Sequence, residues 1–154
     1  MSKSVDKFNF AMGNAPADTP EGILEQIKNQ CTYLLEEVLE VKEGASKGDW
    51  ENVLKEVADV NFVAAYLRTL VEAAGCDYSK AFRKVCDNNS LKMTTSHELA
   101  QKWWLQQEDE CYIAEAEFEG EVYYSVRRVS DGKTKKFKNF PDVNLKRCLP
   151  KELQ

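Results

Sequence analysis

The stretch Trp50–Ala74, WENVLKEVADVNFVAAYLRTLVEAA, decides how the rest of the chain is read. From Val57 to Leu67 its apolar residues occupy almost the whole helical circumference, which predicts an internal helix. Two carboxylates interrupt it. Asp59 shares a stripe with Val63, Tyr66 and Leu70, and Glu56 shares one with Val60, Val63 and Leu67. A carboxylate in such a stripe costs several kcal/mol of desolvation unless it is paired or bound to a metal. The helix is read as giving Asp59 no basic partner on its own face, so compensation is expected from outside the helix.

The preceding segment has the same period. Ile23, Leu24, Ile27, Cys31, Leu34, Leu35, Val38 and Val41 predict a helix over about Pro20 to Glu43, with Thr19 as N-cap and Pro20 in the first turn. Its apolar stripe is read as Cys31, Leu34, Leu35 and Val38, with Glu37 beside Val41 at one edge and Glu40 further round. Alone, these acids read as a solvated edge. The GASKGDW stretch is expected to break the helix, with Asp49 capping the next one. Two helices joined by so short a turn pack antiparallel, which brings Glu37 and Glu40 opposite Glu56 and Asp59. Four carboxylates that close repel one another unless cations neutralise them. Hard oxygen donors without His or Cys suit Mg²⁺ or Mn²⁺ and not zinc. A di-iron bundle needs two Glu-x-x-His motifs, and the single histidine, His97, has no such spacing.

The flanking sequence completes the architecture. Residues 1–20 are mixed and polar. A third helix is expected from near Asp77 to Asp87–Asn89, after Gly75, and SHELAQKWWLQQ reads as a short fourth. From Glu110 the texture alternates, with hairpin signals at Glu119-Gly120 and Asp131-Gly132, predicting a three-stranded antiparallel meander and a polar tail. The expected fold is mainly α: an all-alpha helical bundle over 1–105 with a small C-terminal β-meander over 106–154. Two long helices and a short third leave the apolar second helix partly uncovered, which predicts a homodimer or homotetramer. The net charge of -5 speaks against a nucleic-acid surface. No apolar run approaches the ~20 residues that span a bilayer, and the start lacks a signal-peptide core. The five cysteines are scattered without C-x-x-C and read as reduced thiols, so the expected compartment is the cytoplasm.

Glu36-Glu37-Val38-Leu39-Glu40, followed after fifteen residues by Glu56-Val57-Ala58-Asp59, resembles the E-E-x-x-E … E-x-x-D signature of MazG-like nucleoside triphosphate pyrophosphohydrolases. That all-α superfamily also holds phosphoribosyl-ATP pyrophosphohydrolase. VDKFNFAMG, GCDYSKAFRKV and VCDNNSLK resemble further family segments, so the likeness spans about residues 5 to 95. It implies a Mg²⁺-dependent enzyme that cleaves a (d)NTP between the α- and β-phosphates, releasing a monophosphate and pyrophosphate. Glu37, Glu40, Glu56 and Asp59 would hold the metal, and Glu36 would orient or deprotonate water. Asn89 and Lys92 fall on the family's Asn and Lys positions as substrate ligands. Lys84 and Arg83 are further phosphate candidates, with a solvated helix face as the alternative. Asp87 is read as a helix cap before a metal ligand. Phe10 and Trp50 are candidate base contacts, each set against simple packing. Trp103-Trp104 is read as core packing, His97 as a surface or capping residue, and Lys133–Lys138 as a solvated strand edge. The alternatives are a phosphoribosyl or non-standard nucleotide as substrate, or a catalytically silent helical module that binds a nucleotide or a partner.

Overall fold

The computed structural model describes residues 2–154. By its internal contacts the chain divides into two compact units, one formed by the chain up to Tyr78 together with Arg147–Gln154, the other by Ser79–Lys146.

The first unit is helical. α1 (Ser2–Ala11), α2 (Pro20–Lys47) and α3 (Trp50–Ala73) form its body. The helix at residues 2–11 was hidden in the sequence, which offers only four apolar positions there, Val5, Phe8, Phe10 and Ala11, among polar and charged residues. It is fixed by tertiary contacts: Val5 and Asn9 are buried, and Thr69 Oγ1 on α3 donates to Asp6 Oδ1 at 2.7 Å. Thr19 caps α2 by accepting from Gly22 N at 3.2 Å, and Asp49 caps α3 by accepting from Asn52 N at 3.1 Å. The GASKGDW break falls later than expected. Gly44 stays helical and buried, and Gly48, at φ 70°, ends the helix in the left-handed conformation. Gly44 remains because α2 and α3 touch there: a Cβ would lie 2.9 Å from Asn52 Nδ2 and 3.1 Å from Val53 Cγ2. At the far end of the pair, Val5, Ile23, Tyr66 and Leu70 form the buried core.

Two expectations are corrected here. The covered stripe of α2 runs through Ile23, Ile27, Gln30, Leu34, Glu37, Val41 and Gly44, whereas Cys31, Leu35, Val38 and Leu39 are exposed. A heptad-like stripe won over the longer apolar arc because one helix pair covers one seam. α3 is also not internal all round between Val57 and Leu67: Val57 is 41% exposed, and Asn61 and Ala64 are exposed, since α1 and α2 cover one side only. The short 3-10 turns Lys146–Cys148 and Lys151–Leu153 flank the chain's return to this unit, where Cys148 is buried and its carbonyl accepts from Asp77 N at 2.8 Å.

The second unit holds most of α4 (Tyr78–Ser90), then β1 (Met93–Thr94), α5 (His97–Trp104), β2 (Cys111–Phe118) and β3 (Glu121–Arg128). β2 and β3 form the expected hairpin, closed at Glu119-Gly120 with both residues at positive φ. The third strand differs from the expected meander. It is β1, antiparallel to β3 with Met93 opposite Ser125, giving the order β1-β3-β2. After Asp131-Gly132 the chain makes only an isolated bridge, Thr134 to Arg127. Ala100 of α5 and Val126 of β3 are buried, and Trp103 stacks on Phe137 with centroids 4.9 Å apart.

Candidate functional site

The covered seam of α2 carries Glu37 onto α3 beside Glu56 and Asp59. One carboxylate oxygen from each of the three lies within 4.8 Å of the others. Glu56 is 3% exposed. Its Oε1 accepts from Lys55 Nζ at 2.8 Å, and the same ammonium reaches Asp59 Oδ2 at 3.2 Å. The expectation that α3 offers Asp59 no basic partner is therefore wrong. Lys55 stands four residues before Asp59, a helical neighbour, and next to Glu56.

One ammonium does not balance the cluster. Glu40 adjoins it, and its carboxyl is raised above the usual 4.5 by repulsion from Glu56, then by a hydrogen bond to Glu56. Burial raises Glu37 first, followed by the charges of Asp59, Glu40 and Glu56. The hydrogen bonds Lys55 donates to Glu56, then to Asp59, push the ammonium above the ordinary lysine range. Glu56 Oε2 is buried and no donor reaches it among the described residues. An orphaned buried oxygen, an excess of negative charge and donors that are all oxygen fit a hard divalent cation. A recess of about 370 Å³ opens beside Glu40 and Glu56, bordered by Asn52 and by the Glu43–Lys47 pair.

About two turns toward the start of α2 lies a smaller pocket of about 120 Å³, lined by amides and phenols: Asn14, Gln26, Asn29, Gln30, Tyr33 and Tyr66. Gln26 is committed to the loop, accepting from Ala17 N at 2.9 Å and donating to Ala15 O at 2.8 Å. Tyr66 OH donates to Asn14 O. Gln30 lies on the covered seam two helical turns before Glu37, so this pocket and the acidic cluster share one α2 seam.

A family model described as phosphoribosyl-ATP pyrophosphohydrolase matches residues 5–89, more than half of the chain. The chain belongs to this family. No curated protein and no solved structure matches it. The resemblance carried by EEVLE and EVAD thus holds, and the family's described chemistry is hydrolysis of a pyrophosphate linkage, an acid anhydride.

In this pyrophosphohydrolase-family chain the acids predicted from the sequence are thus brought together on two helices. Glu36 faces outward, one position round α2 from Glu37. Phe10 on α1 and Trp50 at the start of α3 are both largely exposed. The remaining candidates belong to the second unit. Lys92 Nζ donates to Asn89 Oδ1 at 2.5 Å, and Lys84 Nζ to Asn144 O at 3.0 Å. Asp87 lies inside α4, exposed, and not at a capping position. Sequence reasoning missed Lys55, although its i–4 spacing from Asp59 was visible. It also missed Gln30 and Asn29, which polarity alone assigns to solvent.

Proposed function

We propose that the chain hydrolyses a nucleoside or deoxynucleoside triphosphate between its α- and β-phosphates, giving a monophosphate and pyrophosphate, with Mg²⁺, or Mn²⁺ in its place. The observation that supports this most is the buried Glu56, whose second oxygen has no donor and whose carboxylate clusters with those of Glu37 and Asp59. In this reading Glu37, Glu40, Glu56 and Asp59 would hold the cation, which would supply neutralisation of phosphate charge and a more acidic water. Glu36, outward on α2, takes the role of orienting or deprotonating the attacking water by the family resemblance alone. Asn89 and Lys92 bind phosphate oxygens, Lys as a point charge and Asn by hydrogen bonds. Lys84, Phe10 and Trp50 stay as further substrate contacts. The amide pocket along α2 receives the base, because Asn and Gln side chains offer adjacent donors and acceptors to a base edge. The catalytic part is residues 1–105 and the appendage 106–154. The exposed Leu35, Val38, Leu54 and Val57 support a homodimer or homotetramer as the working form, to be read by sedimentation velocity.

A second reading keeps the chemistry and makes the substrate a phosphoribosyl nucleotide, favoured by the description of the matched family. One experiment separates these readings from a silent binding module. The protein is incubated with Mg²⁺ and a panel of NTPs, dNTPs and phosphoribosyl-ATP, and monophosphate and pyrophosphate are measured. Turnover is expected, and Glu40→Gln or Asp59→Asn should lower kcat by about 100-fold or more with the fold retained. Chelation should lower the melting temperature, since a cation at a hundredfold excess over its Kd stabilises by about 2.7 kcal/mol. No turnover of any member, with no thermal response to Mg²⁺, would sink the enzyme reading.

A further inference from the structure

A cleft in the second unit, of about 490 Å³, lies wholly outside the residues matched by the family. Lys92, Arg128, Lys133, Lys135 and Lys136 line it against Glu108 and Asp109. Part of this charge is structural. Arg128 Nε donates to Asp131 Oδ1 at 2.9 Å, and Asp109 accepts from Lys135. The backbone around these lysines is tied down as well: Gln106 Oε1 accepts from Lys138 N at 2.8 Å, and Gln107 Nε2 donates to Lys136 O at 3.3 Å. Lys92, Lys133 and Lys136, by contrast, form no ion pair among the described residues. Five cations therefore face three acids, counting Asp131, an excess of two positive charges in a chain whose net charge is -5.

The kind of anion follows from what else is present. Thr134 adds a hydroxyl, and no aromatic ring lines the cleft. The nearby rings are already engaged, Trp103 on Phe137, Phe137 on Phe140, and Phe140 under the Lys136 ammonium at 5.0 Å from its centroid. The cleft thus reads charge and offers no stacking platform for a base. At the other end of the same hairpin, Glu115, Glu117, Glu119 and Glu121 follow one another around the turn, so an extended polyanion laid along the sheet meets repulsion. We infer that this cleft binds a compact oligophosphate, pyrophosphate or tripolyphosphate in size, through Lys133, Lys136 and Lys92 and without a divalent cation. Charge-assisted bonds from ammonium groups to phosphate oxygens are the strong class of hydrogen bond. Lys92 is shared with the proposed hydrolysis, but Lys133 and Lys136 have no part in it, so changing these two tests this site separately from that reading.

The test uses the full chain in EDTA at low salt, titrated calorimetrically with inorganic tripolyphosphate. One saturable site per chain is expected. Lys133→Gln with Lys136→Gln should weaken it about tenfold or more, while Glu40→Gln leaves it unchanged. On the wild-type chain, tripolyphosphate should slow acetylation of Lys133 and Lys136, read by mass spectrometry, and leave Lys28 and Lys151 unaffected. Absence of saturable binding, binding indifferent to the double variant, or uniform protection of all lysines would each overturn the inference. So would tighter binding of a single-stranded oligonucleotide than of tripolyphosphate, which would make the surface one for nucleic acid.

Discussion

Lys55 governs the electrostatics of the acidic cluster, because its one ammonium bonds both Glu56 and Asp59. It competes with any divalent cation for the same oxygens. Lys55→Ala should therefore tighten Mn²⁺ binding on the order of fivefold, given the usual worth of an exposed pair, and lower the melting temperature of the metal-free protein. Calorimetry and a thermal melt in EDTA check both; weaker metal binding would make Lys55 a support of the site instead. A second residue-scale prediction concerns acid. A hydrogen bond from Arg128, then one from Lys133 N, hold Asp131 well below the usual 3.8, and Lys135 lowers Asp109. A depressed carboxylate stabilises the fold above its unfolded value and loses that contribution as pH falls through the folded one. Stability should thus drop as pH falls below 3.8, and Asp131→Asn should show a shallower drop in acid melts. At this scale the four acids were legible because each sat at helical spacing beside apolar residues. The covered seam was not, since Leu34 and Leu35, or Glu36 and Glu37, differ in placement by a single step that only the partner helix decides.

The contact between α2 and α3 depends on Gly44. Its missing side chain lets Val53 and Asn52 approach, one turn before Glu56. Gly44→Val should overpack this crossing and destabilise by about 2 kcal/mol, read by urea denaturation. If stability is unchanged, the two helices do not approach there as described. Gly44 also shows why the helix end was misplaced. A glycine reads as a stop in the sequence, and only a close neighbour reveals it as a packing position, whereas Gly48, at positive φ, is the stop. The β-region divides in the same way. Glu119-Gly120 closes a two-residue hairpin by local chemistry, and was legible. Asp131-Gly132 carries a similar acid–glycine turn signal, but Asp131 is engaged with Arg128, and the third strand comes from the two residues Met93–Thr94, too short to register as a period.

At the scale of the molecule, no helix among the described residues is long and apolar enough to cross a membrane. The helical unit is discontinuous in sequence, which composition could not reveal because its last segment, Arg147–Gln154, is polar and short. That segment nevertheless supplies buried Cys148, the acceptor for Asp77 N, and Pro150, which packs near Gly75. Deleting residues 147–154 should therefore lower the melting temperature of the helical unit, with a loss of about 1–3 kcal/mol for the bared amide and lost burial. An unchanged melt would show the tail to be dispensable. The hydrogen bond from Asp77 to Cys148 also closes residues 78–147 into a loop. During synthesis every residue of Ser79–Lys146 leaves the ribosome before the tail does. The later-encoded unit is free to fold first, and the earlier-encoded one is sealed last. The acidic cluster can assemble on α2 and α3 as soon as both emerge, yet the unit that carries it acquires these contacts only once Arg147–Gln154 has followed the whole of Ser79–Lys146.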